Sequence, residues 1–171
     1  TTVDRCAMSA ATVHALEARG LLVYTGESRL SGTTITAVLD AYRDRVPRVL
    51  DALDRMKALA VQMRDALRAG DVDALAAHVD EHWTHQRALH PKITTDRIDA
   101  LETAARRNGA IGLKALGASG GGCVLLFSAE FDMERLARAA EPFGSRLLWR
   151  VAADGVRVRE VELDSTRSVD G

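Results

Sequence analysis

The feature that most constrains this chain is a glycine-rich stretch in its last third. Residues 109–123 read GAIGLKALGASGGGC, with Lys114 ahead of the densest glycines. Glycine permits positive φ and a close approach of another backbone or of a phosphate, and successive amides in such a loop can form an anion-binding nest. The stretch is neither a Walker loop, since no Lys-Ser/Thr pair follows the glycines, nor a dinucleotide fingerprint. The residues alone leave a tight turn between strands and a phosphate contact equally open.

Hydrophobic spacing predicts helices before this stretch and strands around it. Helical periodicity covers 28–44, a segment from Pro47 to Gly70, one after Asp71 up to position 89, and one capped by Thr94 or Thr95 that ends at Asn108-Gly109. Strands are predicted at 21–24, 110–116, 123–127, 147–151 and 156–161, the last two joined by an Asp154-Gly155 hairpin, with a helix at 131–140. The residues before position 19 allow a strand or a short helix. Four helices followed by β-β-α-β-β predict the α+β class: a four-stranded antiparallel sheet with helices packed on one face.

Composition excludes several classes of function. The chain has 23 basic and 24 acidic side chains, so its net charge of -1 disfavours a nucleic-acid partner. No apolar run reaches the roughly 20 residues that cross a bilayer, so we expect no membrane partner. Two cysteines are too few for a disulfide scaffold or a zinc site, and a reducing, cytoplasmic location is expected.

Other conspicuous side chains are explained by packing. Trp83 falls on the apolar stripe of its predicted helix, and Cys123 begins a strand, so both are expected in the core. His78 and His82 are four residues apart, a spacing that can hold a metal ion on one helix face. Because no carboxylate or cysteine completes the set at the expected spacing, no metal site is predicted.

The glycine stretch resembles the third, C-terminal motif of the GHMP kinases, whose usual form is Gly-Ala-x-Gly-x-Lys-x-x-Gly-Ala-Gly-Gly-Gly-Gly. This chain departs from it at Ser119. Residues 21–29, LLVYTGESR, resemble a strand and turn of heptose-phosphate kinases and fucokinases. Residues 82–89, HWTHQRAL, resemble their His-Trp-x-x-Lys-Lys-x-Leu helix, with Gln86-Arg87 supplying one positive charge fewer. The resemblance covers about 21–161 and favours heptose-phosphate kinase first and fucokinase second.

The resemblance implies a ferredoxin-like C-terminal kinase domain and a set of binding residues. It implies that ATP and Mg²⁺ serve the complete enzyme, and that its acceptor is a sugar or sugar phosphate. Phosphate contacts are implied for Lys114, Gly117, Ala118, Ser119, Gly120, Gly121 and Gly122. Substrate contacts are implied for Thr25, Gly26, Arg29 and Arg87. From the residues alone, Lys114, Arg29 and Arg87 are equally well explained as surface charges; no catalytic residue is assigned.

The ATP-binding loop of these kinases, Pro-x-x-x-Gly-Leu-Gly-Ser-Ser, is not found in the sequence. We therefore expect 1–32 to be the end of an N-terminal kinase domain, 33–164 the C-terminal domain and 165–171 a flexible tail. The chain alone is expected to bind neither ATP nor Mg²⁺ and to be inactive, because phosphoryl transfer depends on charge stabilisation around both.

Three explanations stay open at this point. The chain is a fragment of a larger kinase, one subunit of a split kinase, or a non-catalytic binding or regulatory domain. We favour the first. In the last case the edge of the strand at 21–24 would pair with another chain. The expected partners are the missing N-terminal half, on the same or another chain, and a second copy in a dimer.

Overall fold

The computed structural model describes residues 6–27, 32–118, 120–129, 131, 133–152 and 158. Its first half holds α1 (Ala10–Arg19), β1 (Gly20–Tyr24), α2 (Gly32–Arg43), α3 (Pro47–Ala69) and α4 (Val72–Leu89). A short 3₁₀ turn (Pro91–Ile93) leads into α5 (Asp96–Arg107), β2 (Ala110–Ala115) and β3 (Cys123–Ser128). The described part ends with α6 (Glu134–Ala140), a second 3₁₀ turn (Glu141–Phe143) and β4 (Ser145–Leu147).

Local sequence signals set the ends of the central helices. Proline, which has no N–H to leave unsatisfied, begins α3, and Gly70 ends it with a φ of 74°. The Asp71 side chain then accepts a hydrogen bond from the amide of Ala74 and caps α4. Thr95 caps α5 in the same way. These predicted boundaries are confirmed.

The strands form one antiparallel sheet in the order β2-β3-β1-β4, which confirms the predicted fold class. One element corrects the sequence prediction: the strand at 21–24 is not left over from another domain, and neither of its edges is free. It lies inside this sheet, with Leu22 paired to Leu125 of β3 and to Leu147 of β4. Its continuous apolar run fits this position, since Leu21 and Val23 are 1% exposed.

The remaining elements follow the prediction unevenly. The helix predicted at 28–44 begins at Gly32 in the described residues, and the one predicted at 131–140 begins at Glu134. Residues before β1 form a helix, α1, one of the two states that the sequence allowed. The strand predicted at 147–151 lies at 145–147 instead. The hairpin at Asp154-Gly155 and, apart from Val158, the strand at 156–161 lie outside the described residues. The predicted domain limits stay predictions.

Two apolar clusters hold the sheet and helices together. The larger one joins the sheet to α3, α4, α5 and α6 through Leu21, Val49, Trp83, Ile98, Leu101, Leu113, Leu126 and Leu136, among others. The smaller one gathers Leu16 of α1, Leu75 and Val79 of α4, and Phe127 of β3. None of the described helices is both long and apolar enough to cross a membrane.

A close approach of β2 to α4 explains one glycine that lies outside the loop. A Cβ atom on Gly112 would lie 2.2 Å from the carbonyl oxygen of Ala76. The neighbouring amide of Leu113 donates to Asp80 Oδ1 on the same helix at 3.2 Å, which fixes the strand against it. Only a residue without a side chain fits between this strand and this helix.

We expect Gly112→Ala to lower the free energy of unfolding by about 2–3 kcal/mol, because the backbone of α4 cannot yield as a side chain would. Urea unfolding measures the effect. Gly32→Ala is the matched control, since a Cβ there meets no atom within 4 Å and should change stability little. An equal response in both variants would contradict the close packing.

Candidate functional site

Residues 117–122, which we call the glycine loop, join β2 to β3. The amide of Leu116 donates to the carbonyl of Cys123 at 2.8 Å and closes the hairpin beneath the loop. Each described glycine in the loop has a positive φ: 70° at Gly117, 82° at Gly120, 130° at Gly121 and 83° at Gly122. Residues other than glycine rarely adopt such φ values, so the backbone path itself requires the glycines. Ser119 lies outside the described residues.

The second half of the loop is anchored to backbone elsewhere in the chain. The Gly122 amide donates to the carbonyl of Glu27 at 2.7 Å, and the Gly120 amide donates to that of Ile93 at 2.9 Å. In return, the amide and the hydroxyl of Thr25 both donate to the Gly122 carbonyl at 2.9 Å. Two of the loop amides that the sequence assigns to phosphate are therefore already hydrogen-bonded within the chain.

This anchoring also places two of the residues assigned to the substrate. Thr25 is fully buried, and its hydroxyl is bound to the loop. Gly26 follows with a φ of 75°, where the chain turns beneath the loop. The contact is so close that a Cβ on Gly121 would lie 2.8 Å from the carbonyl oxygen of Glu27. In this structure Thr25 thus holds the loop in place together with the carbonyl of Glu27, and Gly26 provides the turn between them.

The first half of the loop borders a cavity of about 290 Å³. The exposed residues Gly117 and Ala118 form part of its wall, together with Lys114 from the end of β2. Apolar side chains supply most of the remainder: Ile35, Val38 and Leu39 from α2, Met56 from α3, Leu89 from α4, and Ile93. The other polar side chains in the wall are Thr34, His82 and Gln86. The structure therefore brings three of the predicted phosphate residues together at one cavity.

Lys114 is the charged group of this cavity. Its Nζ lies 3.1 Å from His82 Nδ1, and within the described residues no carboxylate pairs with it. Burial lowers the pKa of Lys114 below its usual 10.5. Burial first, and then the positive charges of Lys114 and His85, lower the pKa of His82 to about 4. At neutral pH the imidazole is therefore uncharged and accepts a hydrogen bond from the ammonium group.

Gln86 links α4 to the glycine loop. The side chain is 6% exposed, and its Nε2 donates to the carbonyl of Gly117 at 3.2 Å. Its Oε1 is buried and has no hydrogen-bond partner in the described part of the chain. This one bond holds the rim of the cavity against the helix.

The remaining residues assigned to the substrate do not join this group. Arg87 points towards α5, with Nη1 2.8 Å from Glu102 Oε2 and Nη2 3.0 Å from Asp99 Oδ1. Its guanidinium also lies over the ring of Trp83, which is 1% exposed and belongs to the core as predicted. Arg29 lies outside the described residues. Among the described residues there is no group of three or more His, Cys, Asp or Glu that could hold a metal ion.

Sequence reasoning missed the part that α4 plays in the cavity. From the sequence, His82 belongs to the resembling segment HWTHQRAL and is weighed as a metal ligand, and Gln86 counts as a lost charge, but neither is predicted at a cavity. A signal was present, because residues four apart share one helix face, and His82, Gln86 and Leu89 follow that spacing within one residue. The spacing could not show that this face of α4 contacts Lys114, because Lys114 lies 32 residues after His82 in the sequence.

Comparison with known proteins agrees with the described fold. Residues 63–144 match the family model described as GHMP kinases C terminal. The described fold is similar to part of the mevalonate kinase of L. major, solved with R-mevalonate, with a TM-score of 0.67, 19% identity, and coverage of 77% of this chain and 40% of that one. Over residues 63–144 the chain thus matches the C-terminal domain of the GHMP kinases.

Relatives come from both kinds of kinase. The bifunctional fucokinase/GDP-fucose pyrophosphorylase of Arabidopsis thaliana is 28% identical over 72% of this chain and 12% of its own length. The mevalonate kinase of Pyrococcus horikoshii is 35% identical over 81% of this chain and 42% of its own length. The heptose 7-phosphate kinase of Campylobacter jejuni is 27% identical over 66% and 32%. The chain spans less than half the length of each of these relatives.

We expect the free energy of unfolding to fall as pH drops from about 6.5 to about 4 because of His82. Its folded-state pKa lies below its ordinary value, so across this window the unfolded chain binds a proton that the folded chain does not. Urea unfolding across the pH range measures the slope. His82→Gln should flatten it, whereas His78→Gln, the same change one turn earlier, should leave it. A slope that is identical in both variants would contradict the burial of His82.

Proposed function

We propose that this chain supplies the acceptor side of the cleft in an ATP-dependent GHMP-type kinase. The observation that carries the proposal is the joint position of Lys114, Gly117 and Ala118 on one cavity wall. A half-buried cation without a carboxylate partner costs desolvation energy that an anionic ligand would repay. The glycine loop next to it exposes backbone that a phosphate can approach closely.

The phosphate contacts belong to the exposed half of the loop in this proposal. Gly117 and Ala118 are exposed, whereas Gly120 and Gly121 are buried against other backbone segments. We therefore propose that a phosphate oxygen binds at the first half of the loop, Gly117 and Ala118. The second half, Gly120–Gly122, anchors the first half to the rest of the chain. The rigid second half would keep the first in place during transfer, which depends on positioning.

ATP and Mg²⁺ belong to the proposal for the assembled kinase. Among the described residues no cluster of carboxylates or other ligands fits a metal ion, so no residue of this chain is assigned to it. The partner of the domain would be the half of the kinase that carries the ATP loop, on the same or another chain.

The acceptor can come from either class of relative. The resemblance of 21–29 and 82–89 favours a heptose phosphate, and one relative is named for that substrate. Mevalonate kinases are similar to this chain to an equal degree, so we propose a small phosphoryl acceptor of one of these two kinds. The alternative of a non-catalytic regulatory domain no longer draws support from a free edge of the strand at 21–24, because β1 is paired on both sides.

The test is a fusion of this chain behind the N-terminal half of the C. jejuni heptose 7-phosphate kinase, with ADP release as the readout. We expect release that requires ATP and either a heptose phosphate or mevalonate. Lys114→Met should lower the rate at subsaturating acceptor at least about tenfold, because a charge-assisted hydrogen bond is lost. Lys57→Met, on the exposed side of α3, is the matched control.

A folded fusion that releases no ADP with any of these acceptors would overturn the proposal. Equal rates in the two lysine variants would remove Lys114 from it.

A further inference from the structure

Lys114 differs in its surroundings from the other two lysines of the chain. Lys57 and Lys92 are exposed, whereas Lys114 is half-buried near the end of β2. Its Nζ lies 3.1 Å from His82 Nδ1, and no Asp or Glu of the described residues belongs to the cavity wall around it. Burial lowers the pKa of Lys114, so its nitrogen carries a free lone pair more often than a surface lysine does. A desolvated lysine of this kind is an activated nucleophile.

We propose that Lys114 is a site of covalent acylation by small aliphatic acyl thioesters. The amine attacks the thioester inside the cavity, and the acyl chain stays attached to Nζ as an amide. This modification concerns the chemistry of the chain alone, and it requires neither phosphoryl transfer nor the proposed function.

His82 is positioned to take the proton that acylation releases. At neutral pH its imidazole is uncharged, because its pKa is lowered to about 4, and Nδ1 accepts a hydrogen bond from Nζ. In the neutral amine this bond holds one N–H against the ring, so the lone pair points away from it. A base within hydrogen-bond distance of the reacting nitrogen accelerates the transfer of its proton.

The step balances without an oxidant or a reductant. The lone pair of the neutral amine forms a C–N bond to the carbonyl carbon of the thioester, and the C–S bond then breaks. The nitrogen gives one of its two protons to His82 Nδ1, and the imidazolium passes it to the leaving thiolate. The products are an amide on Lys114 and a free thiol.

The cavity favours an uncharged aliphatic group over a charged or polar one. It has a volume of about 290 Å³, and the exposed residues Ile35, Leu39 and Gly117 in its wall give access from solvent. The methylene groups of a short acyl chain gain from contact with the apolar wall. Acylation also replaces a half-buried ammonium, which no carboxylate of the described residues neutralises, by an uncharged amide.

The chain carries its own controls for a test, because it has only three lysines. The chain is incubated near neutral pH with S-butanoyl-N-acetylcysteamine. Digestion after glutamate separates the three lysines into different peptides, and mass spectrometry measures the rate at each one. We expect Lys114 to gain the butanoyl group at least about tenfold faster than Lys57 and Lys92. Unfolding in urea should abolish the difference, since all three amines are then solvated alike.

Two variants connect the reactivity to the geometry. His82→Gln removes the base but keeps a hydrogen-bond acceptor, and it should slow acylation of Lys114 at least about tenfold. His78→Gln, one turn earlier on α4, should leave the rate unchanged. Ile35→Trp, at a side chain 46% exposed, should slow acylation of Lys114 by narrowing the cavity and leave Lys57 and Lys92 as they are. This last variant keeps the test valid if His82→Gln does not fold.

Equal rates at the three lysines of the folded chain, or a faster rate at Lys57 or Lys92, would overturn the proposal. A preference for Lys114 that persists in urea would also overturn it, because the cause would then be the local sequence and not the cavity. So would a rate at Lys114 that neither His82→Gln nor Ile35→Trp changes. None of these outcomes depends on whether the fusion releases ADP.

Discussion

The site depends on the backbone contact between the end of β1 and the second half of the glycine loop. Gly122 donates to Glu27 and accepts from both the amide and the hydroxyl of Thr25. These bonds extend the β1–β3 pairing beyond the sheet, and the absence of a Cβ at Gly121 lets the two segments meet. With one end of the loop fixed in this way, the other end is free to border a cavity.

The glycine loop therefore serves two purposes, packing and bordering the cavity, and the sequence motif does not show which residues serve which. Its later residues are a packing requirement, since their positive φ values and close contacts exclude side chains. Its first residues lie at the surface beside Lys114 and form a wall with α2 and α4. The sequence left two interpretations of the loop equally open, a structural turn and a ligand contact. Both are consistent with this arrangement, because the second half of the loop forms the anchored turn and the first half borders the cavity.

The sequence predicted what local signals determine. Pro47, Gly70, Asp71 and Thr95 marked helix ends because each acts on its own backbone neighbours. The position of β1 was not predictable in this way, since its partner Val124 of β3 lies about a hundred residues from Val23. The cavity was missed for the same reason: it exists only where helices distant in sequence meet a strand. Arg87 is assigned to the substrate from the sequence, but it pairs with Asp99 and Glu102 of α5. Sequence spacing alone does not show that α5 packs beside Arg87.

The central claim is that Lys114 is a half-buried cation that no carboxylate among the described residues neutralises. A ¹³C-detected NMR titration of its ε-carbon tests this most directly. The account predicts a pKa below the usual 10.5, because burial disfavours the charged form, and a rise in that pKa when an anion occupies the cavity. A pKa at or above 10.5 in the free chain would show that a carboxylate already pairs with the ammonium, and would contradict the account.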